Sequence, residues 1–259
     1  MEKARKFSPL IIFFIIIIFG FALTFFSNKA VAPDFSGYSH PETKTNLNDN
    51  ENLNQNISVS TPVVEEKTEQ KPAKFYIENV PFVVQAPNAN WDELHEDACE
   101  EAALLTVNYY LNNQSVISSE VADRDILELV QFEKDNFNGL WKSTTAKETA
   151  SVAEKKWGIK ASLKYDITLD DIKNEIAKGN PVLLPTNGQK LQNPNYKQPG
   201  PVYHFLVAIG YNEKQIITND PGTKRGKDYV YSNEILMNAL GDWDGSAGDG
   251  KSVIIILNK

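Results

Sequence analysis

The 259 residues, 29.0 kDa of chain, suffice for one sizeable domain with extensions, and a composition 41% hydrophobic and 10% aromatic can build its core. Lys and Arg number 26 against 34 Asp and Glu, a formal charge of −8 that repels phosphate backbones and argues against a nucleic-acid partner. One cysteine, Cys99, excludes an internal disulfide, and three histidines leave too few soft ligands for a structural zinc site.

The chain opens with Lys3, Arg5 and Lys6, followed by an uncharged apolar run from Leu10 to Phe26. That run approaches the ~20 residues needed to cross hydrocarbon, and its basic flank should stay in the cytoplasm. Residues 1–27 are therefore expected to be a transmembrane anchor or signal segment, giving a single-pass membrane protein with an extracellular domain. A cleavable secretory signal is the competing reading: Ala30 and Ala32 are small enough to precede a cut, which Pro33 would hinder. Either reading exports the rest of the chain. Residues 28–74 are rich in Asn, Glu, Thr, Ser and Pro and poor in large apolar side chains, so they read as a disordered polar linker. The folded unit is expected over 75–259.

Within that unit, Phe75 to Val84 reads as extended. Asp97 and Glu100 form a capping-box pattern that would open an apolar helix from Ala98 to Leu111. Helical signals recur over Val121 to Phe132, over Thr144 to Trp157 with Gly158 as its stop, and over Leu169 to Lys178 with Gly179 as its stop. Beyond Gly179 the signature changes to short β-branched runs, at 181–185, 203–211, 215–219, 228–231 and 253–257, separated by turn residues. Helices first and strands later predict an α+β fold with a mostly antiparallel sheet in the second half.

Chemistry concentrates at Cys99. With Asp97 as N-cap, the cysteine would sit in the first helical turn, where converging backbone amides and the helix dipole favour a thiolate. Glu100 and Glu101 oppose ionisation, so a cationic partner is required. A free cysteine on an apolar helix is also often just a small buried hydrophobe. His204 begins an apolar strand and can project toward a cleft, and Asp220 closes the next strand, where an antiparallel pairing would bring it beside His204. Taken singly, a core histidine and a turn-forming aspartate are the commoner roles for these residues.

The ordered set Pro81-Phe-Val-Val-Gln85, Asn90-Trp91, Ala98-Cys99-Glu-Glu-Ala102, Tyr203-His204-Phe-Leu-Val-Ala-Ile-Gly-Tyr211 and Asn219-Asp220-Pro221 resembles the papain-like cysteine peptidases related to the bacteriocin-processing, double-glycine leader peptidases. It is most similar to their stand-alone exported branch. The resemblance spans about Val80 to Leu257 and implies a papain-like fold. In it Cys99 would be the nucleophile, His204 the general base and later the acid, and Asp220 the orienter of His204. Gln85 would place its side-chain amide in the oxyanion hole beside the backbone N–H of Cys99. The resemblance implies a thioester acyl-enzyme, no metal or organic cofactor, and a peptide or protein substrate, including cell-wall peptide. Two features depart from the family pattern: Glu100-Glu101 stands where many relatives have Gly-Pro, and the insert Ala86 to Asp97 separates Gln85 from Cys99. The alternatives are an inactive peptidase-like domain that binds peptide or cell-wall material, and a peptidoglycan amide hydrolase or acyl transferase.

Other residues invite functional readings. His95 is a rival base, and Trp91 and Trp141 are candidate groove walls, though both tryptophans are more simply core. The run 241–250 carries carboxylates at Asp242, Asp244 and Asp249 but lacks a closing Glu, so it reads as an acidic loop near the cleft rather than a calcium loop. The loop 186–202, with Pro194, Pro199 and Pro201, directly precedes His204 and is placed to cover the cleft.

Overall fold

A computed structural model describes residues 34–41 and 71–258. The elements run β1 (Phe75–Tyr76), α1 (Glu93–Glu96), α2 (Cys99–Leu111), α3 (Ser119–Asn136), α4 (Ala146–Trp157), β2 (Lys160–Tyr165), α5 (Leu169–Ala177), β3 (Val182–Thr186), β4 (His204–Tyr211), β5 (Gln215–Asn219), β6 (Tyr229–Ser232), α6 (Asn233–Ala239) and β7 (Val253–Asn258). Seven strands form one sheet in the order β2-β7-β3-β4-β5-β6, with β1 added to β4, and all these strand pairs are antiparallel. The α+β expectation holds.

The helices form where their termini are chemically closed. Ser118 caps α3, while Thr145 with Glu148 and Thr168 with Asp171 close reciprocal capping boxes on α4 and α5. Gly158 ends α4 in the left-handed region at φ 67°, which a residue with a Cβ adopts only at a cost. Helix α2 differs. It has no side-chain cap and is buried on nearly every side, packed against β4, α3 and α4, as a helix apolar all round must be. Strands β3 and β4 are buried along their whole length, so the sheet centre and α2 together form the core.

Three expectations are corrected here. Asp97 does not cap α2: the N-cap is Ala98, and the Asp97 side chain instead pairs with Lys142 at 2.9 Å. Cys99 is accordingly the first residue of the helix. The polar linker expected from residue 28 to 74 is not uniformly a tether, because residues 34–41 dock on the domain. Phe35 stacks on Tyr76 at 4.2 Å, and Ser39 bridges to Phe75. These aromatic contacts offset the ordering entropy that the segment's overall polarity suggested it could not meet. Finally, among the described residues no helix is long and apolar enough to cross a membrane, and this overturns the single-pass membrane placement expected from the sequence. The run from residue 10 to 26 on which that expectation rested lies outside the described residues.

Candidate active site

The antiparallel pairing of β4 with β5 sets the site. Val207 pairs with Asn219, so the chain leaves β5 at Asp220 alongside the start of β4, where His204 lies. His204 Nε2 and Asp220 Oδ1 are 2.9 Å apart, and both side chains are essentially inaccessible to solvent. The Thr186 hydroxyl donates to the carbonyl of His204 at 2.9 Å and fixes the strand entrance. Gly222 passes directly over the imidazole: a Cβ there would meet His204 Cε1 at 2.8 Å, so only glycine permits this close approach.

Asp220 collects more donors than the histidine. The hydroxyls of Tyr196 and Tyr231 each donate to Oδ2 at 2.6 Å, the Asn193 amide donates to Oδ2 at 2.9 Å, and the Gly222 N–H donates to Oδ1 at 3.0 Å. Burial pushes this carboxyl's pKa up, but His204 and the hydroxyl donors outweigh it and hold the group below the ordinary aspartate value. The same negative charge, together with burial, drives the Tyr196 and Tyr231 phenols upward, so both remain donors at any working pH. With Nε2 committed to Asp220, Nδ1 is the imidazole nitrogen open to another partner.

Cys99 opens onto the same cleft as His204, one of about 1180 Å³. Its sulfur accepts from the N–H of Phe205, the residue after His204. Trp91 also lines that cleft, as expected of a groove wall. The thiol is 5% exposed and donates to Glu100 Oε2 at 2.9 Å. Burial first, then the charge and hydrogen bond of Glu100, push the thiol pKa well up, while the Phe205 N–H pulls the other way. Glu100 turns inward here because the capping box that would have occupied it does not form, and its other oxygen accepts from the Thr144 N–H at 3.1 Å.

Gln85 lines the same cleft, yet its amide nitrogen donates to the carbonyls of His95 at 2.8 Å and Glu96 at 3.0 Å. Both N–H groups are spent, and Oε1 is buried without a hydrogen-bond partner. This geometry ties down the end of α1 and leaves no free side-chain donor for an oxyanion. Gln85→Ala is accordingly expected to lower stability by about 1–2 kcal/mol in thermal unfolding. Its kcat loss should stay well short of the on the order of 100-fold that follows removal of an oxyanion donor, and a loss of that size would restore Gln85 to the oxyanion role.

The rival residues are otherwise engaged. His95 is buried with Nδ1 on Asp92 at 2.8 Å and Nε2 on Asp123 at 3.1 Å, so neither nitrogen is left to take a thiol proton. Trp141 lies beneath Lys134 and Lys142. Asp242 accepts from Ala146 N and Tyr203 OH, Asp244 closes its own turn, and Asp249 meets Asn187 and Lys190, so the acidic loop serves protein donors. Among the described residues no group of His, Cys, Asp or Glu could hold a metal ion. The loop before His204 does border the cleft, but it also buries Asn193 and Tyr196 against Asp220; its first role is to support the histidine–aspartate pair.

A family model described as "Peptidase_C39 like family" matches residues 77–248, which include Cys99, His204, Asp220 and Gln85. The chain belongs to this family. A crystal structure described as a C39-like peptidase from Bacillus anthracis is similar at 18% identity and a TM-score of 0.48, covering 72% of this chain and 98% of that chain. Among curated proteins none matches. Membership of the Peptidase_C39 like family bears out the resemblance to papain-like peptidases of the C39 type that the ordered motifs carry. Sequence reasoning missed Asn193 and Tyr196, whose loop bears no periodic signal, and Tyr231, which was legible only as part of a strand. Gly222 was legible only as part of the turn after Asp220.

Proposed function

We propose that this C39-family protein is a cysteine peptidase that cleaves peptide bonds through Cys99, His204 and Asp220. The observation that supports the proposal is the buried His204–Asp220 pair, which engages Nε2 and leaves Nδ1 for another partner, at a cleft that Cys99 also lines. The thiol proton passes to His204 Nδ1 as sulfur bonds to the substrate carbonyl carbon, and the C=O pair moves onto oxygen. The first-turn backbone N–H of Cys99, which has no intrahelical acceptor, receives that oxyanion. His204 then gives its proton to the leaving amine as the C–N bond breaks, leaving a thioester. Water attacks the thioester carbonyl as its proton goes to His204, the C–S bond breaks to release the acid product, and the departing sulfur recovers a proton from His204 to regenerate the thiol.

The cleft suits an extended peptide. Trp91 offers an apolar face, and Glu93, Glu96, Lys197, Lys224 and Arg225 add charges of both signs to the lining, with Lys197 4.0 Å from Glu96. The test is turnover across a panel of peptides and muropeptides by the full chain, compared with Cys99→Ala. Loss of all cleavage in the variant is the expected result; equal turnover would end the proposal, and a muropeptide preference would assign a cell-wall substrate. One observation favours a second reading, an inactive peptide-binding module: the thiol is buried and its proton is held by Glu100 rather than by His204. Failure of a thiol-directed electrophile to label the wild-type cysteine near neutral pH would support it.

A further inference from the structure

The carboxyl of Glu100 is 1% exposed and is held at both oxygens. Oε2 accepts the Cys99 thiol at 2.9 Å, and Oε1 accepts the Thr144 N–H at 3.1 Å. The charged and titratable groups around it are Cys99 and Glu101 on its own helix, Asp97 in the preceding turn, Glu133 on α3, and Tyr203 on the approach to β4 with His204 beside it. Asp242 reaches the same region through the Tyr203 hydroxyl. Among the described residues no Lys or Arg forms an ion pair with Glu100, and Lys142, the partner of the neighbouring Asp97, is also bound to Glu93. A carboxylate in that position competes with His204 for the thiol proton. A carboxylic acid there would do the opposite: with Oε1 accepting from the Thr144 N–H, the carboxyl proton sits on Oε2 and is donated toward sulfur.

We infer that Glu100 is a further member of the nucleophile's proton-transfer system: as a carboxylate it holds Cys99 as a protonated thiol, and as an acid it donates to the sulfur and releases the thiol proton to His204. The inference rests on the nucleophile reading above and deepens it. The proton balance is explicit. One proton taken from solvent by Glu100 forms the O–H···S hydrogen bond, and the original thiol proton moves to His204 Nδ1, giving a thiolate flanked by the Glu100 acid and the Phe205 N–H and facing an imidazolium. Burial pushes the Glu100 carboxyl up to about 7, with Asp97 adding to it, while the hydrogen bonds from Cys99 and Thr144 pull the other way. The switch therefore lies in the neutral range. The nucleophile should be most reactive on the acid side of that value, the reverse of an ordinary thiol.

The experiment is alkylation of the full chain by iodoacetamide between about pH 5 and 9, read as the rate of Cys99 modification. In the wild type the rate should fall as pH rises through neutrality. Glu100→Gln keeps an oxygen for Thr144 and presents an amide donor to the sulfur at every pH, so its alkaline fall should vanish and its rate at about pH 8 should exceed the wild type by roughly tenfold. A second measurement needs no variant: the ultraviolet absorbance of the thiolate, unambiguous in a chain with one cysteine, should decrease as pH passes through neutrality. A wild-type rate and absorbance that rise steadily with pH would overturn the inference, as would a folded Glu100→Gln whose profile overlays the wild type. His204→Ala separates the two readings. If it leaves alkylation unchanged at every pH, the nucleophile assignment fails; if it suppresses alkylation while Glu100→Gln has no effect, only the role of Glu100 fails.

Discussion

Asp220→Ala is expected to lower kcat/KM on a cleaved peptide by on the order of 1,000-fold, and to lower stability by about 3–5 kcal/mol. Both effects come from one carboxylate. It accepts from His204, Tyr196, Tyr231, Asn193 and the Gly222 N–H in a place without solvent, so alanine removes the shared acceptor of five donors, of which Asn193 keeps the Tyr231 hydroxyl at 2.9 Å. The imidazole loses the partner that holds its Nε2 and fixes its tautomer. Asp220→Asn separates the two losses. Its oxygen still serves His204 and Gly222, and the two phenols can rotate to accept from its amide, whereas Asn193 would face it donor to donor. The asparagine variant should therefore be less destabilised than the alanine variant and should keep more turnover. An alanine variant with turnover within tenfold of the wild type would remove Asp220 from the catalytic reading. Stability should follow pH in the matching sense. Because the folded carboxyl lies below its unfolded value, its contribution is present above about pH 4 and is lost as pH falls through the folded value.

What the sequence carries is local and periodic. Helices α3, α4 and α5 were legible from their helical patterns and from Gly158 as the stop of α4, although their caps Ser118, Thr145 and Thr168 were not read, and β3, β4 and β7 were legible because continuous apolar runs have no other place than a sheet centre. Strand β2 was not, since Ala161 and Leu163 are its only inward apolar residues. It is an edge strand whose lysines face solvent, a composition that also discourages pairing with another chain. The α2 start was misplaced by one residue because Asp97 and Glu100 satisfy the capping pattern locally, while Lys142 and Cys99, distant or buried, claim those side chains instead. Tertiary competition of this kind leaves no trace in a linear pattern.

The candidate site divides along the same line. The histidine and the aspartate were legible because a hairpin register is a local property, and two strands joined through Asn212 to Lys214 bring their far ends together. The donors that hold Asp220 come from the long loop before β4 and from β6, so only folding brings them there. Gln85 shows the limit of a motif. It arrives in the cleft as the resemblance implies, but the inserted α1 turns two carbonyls onto its amide. The same insert supplies His95 and Asp92, which tie α1 to Asp123 on α3 and so make the wall of the cleft a folded element rather than a free loop.

Alkaline conditions should weaken the fold, and Glu133→Gln should relieve most of that weakness. Glu101 on α2 and Glu133 on α3 are buried facing one another, and neither carboxyl has a protein donor, so a proton shared between them is the hydrogen bond open to the pair. Burial pushes both up, Glu133 to about 8, and the charge of Glu100 adds to each. A carboxyl raised in the folded state contributes its full stability below its unfolded value, near 4.5, where both states are protonated. Between that value and about 8 the folded chain holds more protons than the unfolded chain, so stability declines as pH rises, and above it the deficit is complete. Glutamine at 133 cannot ionise and offers an amide N–H to Glu101. The variant should match the wild type near pH 5 and exceed it at about pH 9 by on the order of 3 kcal/mol, or roughly 10 °C in Tm for a domain of this size. Calorimetric unfolding at both pH values decides the matter: a variant destabilised equally at each would mean that the pair does not titrate, and that its burial between α2 and α3 is a matter of packing alone.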